Sequence, residues 1–488
     1  MYKFPSKQIS VTDFGMPLGM KLDPENRWVK KAQIIPWEEI ELRYAALFKN
    51  KKGNVAKPLR LALGSLIIQT ERGISDTEVP LQIQETPCLQ YFCGMAGYED
   101  KLPFDSSLMV YFRKRLTPEI LGEINELIIA KAEKKEEAPP PADDKDDSDP
   151  PPADDKDDSG PPPADDKDDS DPPNSGTLIT DATCAPQNIR HPQDTSLLNE
   201  ARENLEEMID ELHDPADGVK PRTYRRKARK DHLKTAKKRK KSAKEIRASI
   251  KKQLQYIRRD LDIIDRLLKG GKALTDRYFE RLLTIKKVYE QQLFMLKNRT
   301  HQVEDRIVSL SQPWVRPIVR GKAKSKCEFG AKLDISVSNG FVRLEYTSFD
   351  AYNESENLIE IIERYRAREG HYPERVLADK IYRTRENLAF CKKHGIRLLG
   401  KPLGRPKKDD ASDKKMVRQD EIDRIAVERE FSYAKGSFGL GLIRSKLKET
   451  SETAIAMAIL ALNIARAGRV LRAFFTLLFV TRKFAFVQ

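Results

Sequence analysis

Cysteine is scarce and scattered. The five cysteines (Cys88, Cys93, Cys184, Cys327, Cys391) are odd in number and contain no CxxC pair. Neither a zinc site nor a disulfide framework is indicated, and a reducing compartment fits. A long apolar run is also missing. Met1-Tyr2-Lys3-Phe4-Pro5 does not open a signal peptide. A membrane span needs about 20 mostly apolar residues. The most apolar region, Thr453 to Val480, is interrupted by Asn463, Arg466, Arg469 and Arg472, and reads as buried helices. Residues 139–171 have no apolar residue beyond alanine and the ring of proline. There Pro-Pro-Pro-Ala-Asp-Asp-Lys-Asp-Asp-Ser occurs three times with a period of 11. Three prolines per repeat exclude a helix. Without apolar burial nothing offsets the entropy of ordering, so an extended acidic linker is expected over 138–175.

What is present in excess is positive charge. The formal net charge is +14, yet residues 138–175 carry 14 Asp against 3 Lys. The rest of the 488-residue chain is therefore +25. Charge on this scale points to a polyanion, and an anionic membrane surface would also satisfy it. The length suits two or three domains.

Residues 36–137 read as all-helical. An apolar run from Leu59 to Ile68 follows Pro58. Asp105 or Ser106 can cap a helix to Leu116 that carries Arg113, Lys114 and Arg115. Short helices with a basic last one suit a helix-turn-helix DNA reader, and equally a bundle with a solvated basic end. Residues 196–311 form a second helical stretch. From Lys220 to Lys252 there are 17 Lys or Arg against Asp231 and Glu245. Ile250, Leu254, Ile257, Leu261, Ile264 and Leu268 then make a heptad seam, which Gly270-Gly271 breaks. Tyr278, Leu282, Ile285, Tyr289 and Leu296 continue on a second helix. The pattern predicts an antiparallel hairpin entered through a basic segment, whose charge favours phosphate contact over a merely solvated face.

From Cys327 to Val337 the apolar period is 2, Asn339-Gly340 signals a type I′ turn, and Val342, Leu344 and Tyr346 alternate on the return strand. A helix through Leu358, Ile361, Ile362 and Tyr365 stops at Gly370. A strand ends at Asp379, a helix runs from Thr384 to His394, and Ile396 to Leu399 is a short strand. Lys401 to Gln419 reads as polar linker, before helices at about Asp420 to Ala434 and Thr453 to Ala467.

Two strands thus end in acids, at Thr177-Leu178-Ile179-Thr180-Asp181 and Arg375-Val376-Leu377-Ala378-Asp379, and a helix carries Glu428. Three such carboxylates can hold a pair of divalent cations. At about 100° per residue, Arg424, Glu428 and Lys435 share one helix face within roughly 40°. Taken alone, Arg424 and Glu428 are equally an ordinary i,i+4 surface pair. Without the helical insertion the order is β-β-β-α-β-α-β-α, which resembles the RNase H-like fold.

Arg424-x3-Glu428-x6-Lys435 resembles the Tyr-x2-Arg-x3-Glu-x6-Lys signature of DDE transposases of bacterial insertion sequences, with Glu421 at the tyrosine position. Asp181-Ala182-Thr183 and Ala378-Asp379-Lys380-Ile381-Tyr382 are similar to the family's two Asp motifs. Gln187 to Leu198, Pro317 to Ala323, Phe92-Cys93-Gly94, Pro103-Phe104-Asp105 and Phe112-Arg113-Lys114-Arg115 also resemble family segments. The resemblance implies an α/β, RNase H-like catalytic domain with a mixed sheet, a long helical insertion and an all-α N-terminal domain. The corresponding boundaries are 1–137 (helical, DNA-binding), 138–175 (acidic linker), 176–199 (first catalytic strand and loop), 200–312 (basic helical hairpin) and 313–488 (remainder of the catalytic domain).

It further implies two Mg²⁺ ions, or Mn²⁺, on Asp181, Asp379 and Glu428, with cleavage of element ends and joining of the 3′-OH ends to target DNA. Arg424, Lys435, Arg113, Lys114, Arg115, Arg225, Arg226, Lys227, Arg229 and Lys230 are the candidate DNA contacts. The implied partners are DNA and further copies of the chain in a homodimer or larger complex, in the bacterial cytoplasm, with no membrane and no small-molecule substrate. An RNase H-like nuclease without strand transfer, or a non-catalytic DNA-binding protein, would use the same features.

Overall fold

The computed structural model describes residues 1–4, 9–49, 53–136, 172–319, 327–400 and 411–485. The acidic repeat lies outside these residues.

Seven helices are described up to Glu136: α1 Arg27–Ile34, α2 Trp37–Ala46, α3 Leu59–Arg72, α4 Glu78–Glu85, α5 Pro87–Phe92, α6 Leu108–Arg115 and α7 Pro118–Glu136. Asn26 caps α1 by accepting from the Trp28 N–H at 2.9 Å. Residues Leu59 to Ile68 of α3 are all buried, so this helix runs through the middle of the bundle. Asp105 accepts from the Ser107 N–H ahead of α6.

The second half is built on a six-stranded mixed sheet, as the α/β expectation required. Its strands are β1 Thr177–Pro186, β2 Arg316–Val319, β3 Cys327–Ser338, β4 Phe341–Ser348, β5 Arg375–Leu377 and β6 Arg397–Leu398. The order is β2-β3-β1-β5-β6, with β4 also on β3. β3 is long enough to pair with β2 through residues 327–330 and with β4 through residues 332–338. β1 is antiparallel to β3 and parallel to β5. The β3–β4 turn has φ of 51° at Asn339 and 75° at Gly340, as a type I′ turn demands. At Gly330 a Cβ would lie 2.0 Å from the Ala185 carbonyl oxygen, so only glycine allows β1 and β3 to approach there.

One face of the sheet is covered by α12 (Leu358–Glu369) and α13 (Arg385–Lys393). Gly370 (φ 81°) ends α12, and Thr384 caps α13 through the Asn387 N–H. The other face is covered by α14 (Ala411–Ser437) and α15 (Lys448–Ala485). Between β1 and β2 lie α8 (Asp194–Leu212), α9 (Arg225–Ala236), α10 (Ala243–Lys269) and α11 (Asp276–Asn298).

Five expectations are corrected. β2 is a strand that the pattern did not announce, because a Pro-containing tetrapeptide on a sheet edge has little strand signal of its own. The expected hairpin is present, with α10 and α11 meeting after the break at Gly270-Gly271, but the insertion also contains α8 and α9. Leu198, Ala201, Leu205, Met208 and Ile209 of α8 supply an apolar stripe against which α10 lies, with α11 completing the same core. α14 begins at Ala411, inside the expected linker. α15 extends well beyond the expected 453–467.

The fifth correction concerns organisation. Residues Lys448–Arg472 are long and apolar enough to cross a membrane, yet here they are divided between two cores. Ile455, Ala458, Ile459 and Leu462 pack on the sheet. Met457, Leu460, Ile464 and Ala467 pack into the N-terminal bundle. Asn463 pins the junction: its amide donates to Asn125 of α7 at 2.7 Å and to the Val342 carbonyl of β4 at 2.6 Å. The N-terminal helices and the sheet therefore share a helix rather than meeting across a linker.

Candidate active site

Asp181 sits in the middle of β1, half-buried, on the face covered by α14. Its Oδ1 accepts from the Ala182 N–H at 2.8 Å. Asp379 follows β5 by two residues, is exposed, and caps a short turn by accepting from the Lys380 N–H at 2.7 Å. The parallel register pairs Ile179 with Leu377. The ladder ends there, two residues before each acid, and Asp379 still lies near enough for its charge to act on Asp181. Burial pushes the Asp181 carboxyl up from its ordinary range. The Ala182 N–H and Arg424 oppose that rise, and the negative charges of Asp379 and Glu354 add to it.

Helix α14 lies across β1 and β5, held by Val427, Phe431 and Ala434 in the sheet core. Glu428, next to Val427, stands at the margin with 55% of its side chain exposed. Arg424 donates to it at 3.4 Å. One turn and more along, the Lys435 ammonium donates to Thr183 Oγ1 at 2.8 Å, two residues from Asp181 on the same strand. Among the described residues, no three His, Cys, Asp or Glu side chains are gathered closely enough to hold a metal ion. Asp181 and Asp379 are thus brought together, while Glu428 is on the adjacent helix but turned toward Arg424.

Glu354, which no sequence pattern singled out, adds a third negative charge near Asp181 and is itself paired with Lys332. On the opposite sheet face Asp334 is fully buried. It accepts from Tyr352 at 2.8 Å and Asn357 at 2.7 Å, and burial pushes its carboxyl up to about 6. In the alternating pattern it reads as an outward polar residue.

The expected DNA contacts divide. Arg113 is buried, donating to Asp76 at 2.9 Å and to Gln69 at 2.6 Å, and so cross-links α6 to the α3–α4 turn. Arg115 lies over the Phe48 ring, and Lys114 is exposed. On α9, Arg226, Lys227, Arg229 and Lys230 are exposed. Arg225 is bound to Asp210 of α8 at 2.6 Å, and its hydrogen bond holds the Asp210 carboxyl down at about 2. Buried Ala228 and the Tyr256–Asp231 hydrogen bond (3.0 Å) dock α9 on α10.

Residues 376–465 match the family model "Transposase DDE domain", and residues 17–115 match "Transposase domain (DUF772)". The first match contains Asp379, Arg424, Glu428 and Lys435, and begins beyond Asp181. The chain is also similar to "Uncharacterized protein ORF8 in nfe locus" of Rhizobium meliloti, with 30% identity over 103 residues, 21% of this chain and 49% of the relative. The chain thus spans about half the length of that relative. No solved structure matches. The two family matches together support a DDE transposase of an insertion sequence.

Proposed function

We propose, from the two transposase matches, that this chain cuts DNA at the ends of an insertion sequence and joins the freed 3′-OH ends to target DNA. The observation that carries the reading is that Asp181 on β1 and Asp379, two residues past the end of the parallel strand β5, lie close enough for their charges to act on each other, beneath a helix bearing Arg424, Glu428 and Lys435. The order of strands and the helices on both faces support an RNase H-like catalytic domain.

The donor set fits a hard cation. Asp181 and Asp379 are oxygen donors whose mutual repulsion a divalent ion relieves, and Mg²⁺ prefers such carboxylates, with Mn²⁺ able to substitute. Glu428 completes the set only after leaving Arg424. Two ions held by these acids would supply an activated water and a stabilised leaving oxygen. Arg424, once freed, faces the same side and can hold a phosphate. Lys435, anchored at Thr183, can hold a second. The exposed cations of α9 provide sequence-independent affinity for duplex DNA. The N-terminal helices are the proposed reader of element ends. Two ends must be held together, which calls for a homodimer or a larger assembly at DNA in the bacterial cytoplasm.

The test is an in vitro reaction with Mg²⁺, a duplex carrying an element end, and a target plasmid. Wild type should give nicked ends and joined products. Asp181→Asn, Asp379→Asn and Glu428→Ala should each lose both while retaining DNA affinity. Nicking without joining would make the chain a nuclease. Near-native cutting by Glu428→Ala would remove Glu428 from the ligand set.

A further inference from the structure

A cleft of about 1000 Å³ separates the α3–α4 turn from the loop between α14 and α15 (residues 438–447). Its acids are neutralised within the wall: Glu71 is paired with Lys31, and Asp76 with Arg113. Arg72, Lys435, Arg444 and Lys446 line it as well. Of these, Arg444 and Lys446 are exposed. The cleft is therefore positive on balance. Between its cations it offers apolar surface at Ile74, Val110 and Leu442, the last 44% exposed. Lys435, one of its lining residues, donates to Thr183, two residues from Asp181, so the cleft adjoins the candidate active site.

We propose that this cleft binds a short single-stranded nucleic-acid segment running off from the Asp181 site. The proposal rests on the reading of the chain as a DNA-cutting protein, and says which form of DNA the adjoining groove takes. The exposed cations Arg444 and Lys446 suit phosphates. Apolar patches beside them suit the faces of unpaired bases, which a single strand exposes and a duplex hides. The walls are also fixed. Arg444 donates across the cleft to the Gly73 carbonyl at 3.3 Å, and Thr453 of α15 donates to the Arg113 carbonyl at 2.9 Å. Both walls pack on α15, so the cleft cannot spread to admit a duplex without breaking a shared core. Its volume is at the upper end of the roughly 300–1,000 Å³ of ligand sites, room for a few nucleotides.

The experiment measures binding of a labelled oligothymidylate of about eight nucleotides to the full chain, without metal, over a series of salt concentrations. A labelled duplex serves as the comparison. Lys446→Gln and Arg444→Gln should each reduce the slope of log K against log salt for the single strand by about 0.7. Leu442→Asp, which removes no internal bond, should weaken single-strand binding about tenfold by repelling phosphate. Duplex affinity, carried by α9, should change by less than about twofold in all three. Unchanged single-strand slope in the first two variants, with unchanged affinity in the third, overturns the proposal. The binding assay needs no cleavage. A chain that binds the oligonucleotide through these residues but never cuts DNA keeps the cleft and loses the transposase reading. A chain that cuts while the variants bind normally does the reverse.

Discussion

The same residue type plays opposite parts in this molecule according to its neighbours. Asp210, exposed beside Arg225 and Lys220, is held ionised, with its carboxyl at about 2. Asp260 on α10 is fully buried, and neither of its oxygens has a hydrogen-bond partner among the described residues. Burial, with Glu206 adding to it, pushes its carboxyl up to about 8, against the pull of Arg202, Arg225 and Arg259. An acid whose folded pKa lies above the unfolded value of about 3.9 holds a proton in the fold that the unfolded chain has lost. Its contribution to stability is fully present below about pH 4 and falls away as pH rises toward about 8. We expect this group to lower the melting temperature of the wild type as pH rises from about 4 to about 8, with no further loss above that. Asp260→Asn should remove that part of the decline. Parallel pH profiles for the two proteins would show that Asp260 does not govern it.

At the scale of the element, α9 combines a docking face with a free one. Ala228, Asp231 and Arg225 are turned to α8 and α10, and Arg226, Lys227, Arg229 and Lys230 to solvent. The free four should contact phosphates. Replacing them together with Gln should flatten the salt dependence of duplex binding by up to about 0.9 for each phosphate no longer neutralised. An unchanged slope would leave α9 as a solvated face. Arg225 belongs outside this set, because Asp210 already holds it. The element scale also shows what local pattern encodes. Period-2 alternation, Asn339-Gly340, Gly370 and the Thr384 cap each act within a few residues of chain, and each element lies where the sequence put it. β2 and the early start of α14 did not announce themselves. A Pro-containing edge strand is stabilised by what it lies against, and the first turns of α14 are polar and largely exposed over residues 415–419, so no apolar pattern marks them.

At the scale of the whole molecule, α15 joins the halves. Met457, Leu460 and Ile464 each stabilise the N-terminal bundle by about 1.5–3 kcal/mol through burial. Together they are comparable with the about 5–15 kcal/mol that holds a domain folded. Residues 1–137 expressed alone should therefore be aggregated or partly unfolded, and soluble when co-produced with residues 172–488. A cooperatively melting 1–137 fragment would refute this. End recognition by the N-terminal helices is accordingly to be measured in the full chain, as preference for terminal over random duplex. The acidic repeat bears on the same scale. Its net charge of −11 opposes DNA binding. Deleting residues 139–171 should leave cleavage intact and tighten non-specific binding at low salt. The gain should fade as the Debye length shrinks to about 8 Å near physiological ionic strength. Loss of cleavage in a folded deletion variant would give the repeat a role beyond linking.

The sequence by itself determined a strand through Asp181, although β1 runs on to Pro186 and does not end there, a short strand stopping two residues before Asp379, and a helix that carries Arg424, Glu428 and Lys435. Each depends on periodicity and on capping or turn residues close by in the chain. Tertiary structure decided the rest. Arg113 became a buried cross-link because Asp76, 37 residues away, met it. Asp334, polar in the alternating pattern, was enclosed because Tyr352 and Asn357 close over that face. α10 chose α8, and α15 took two cores, because an apolar stripe specifies that it must be covered but not by what. Partner choice depends on shape and charge across the chain, which no local pattern contains.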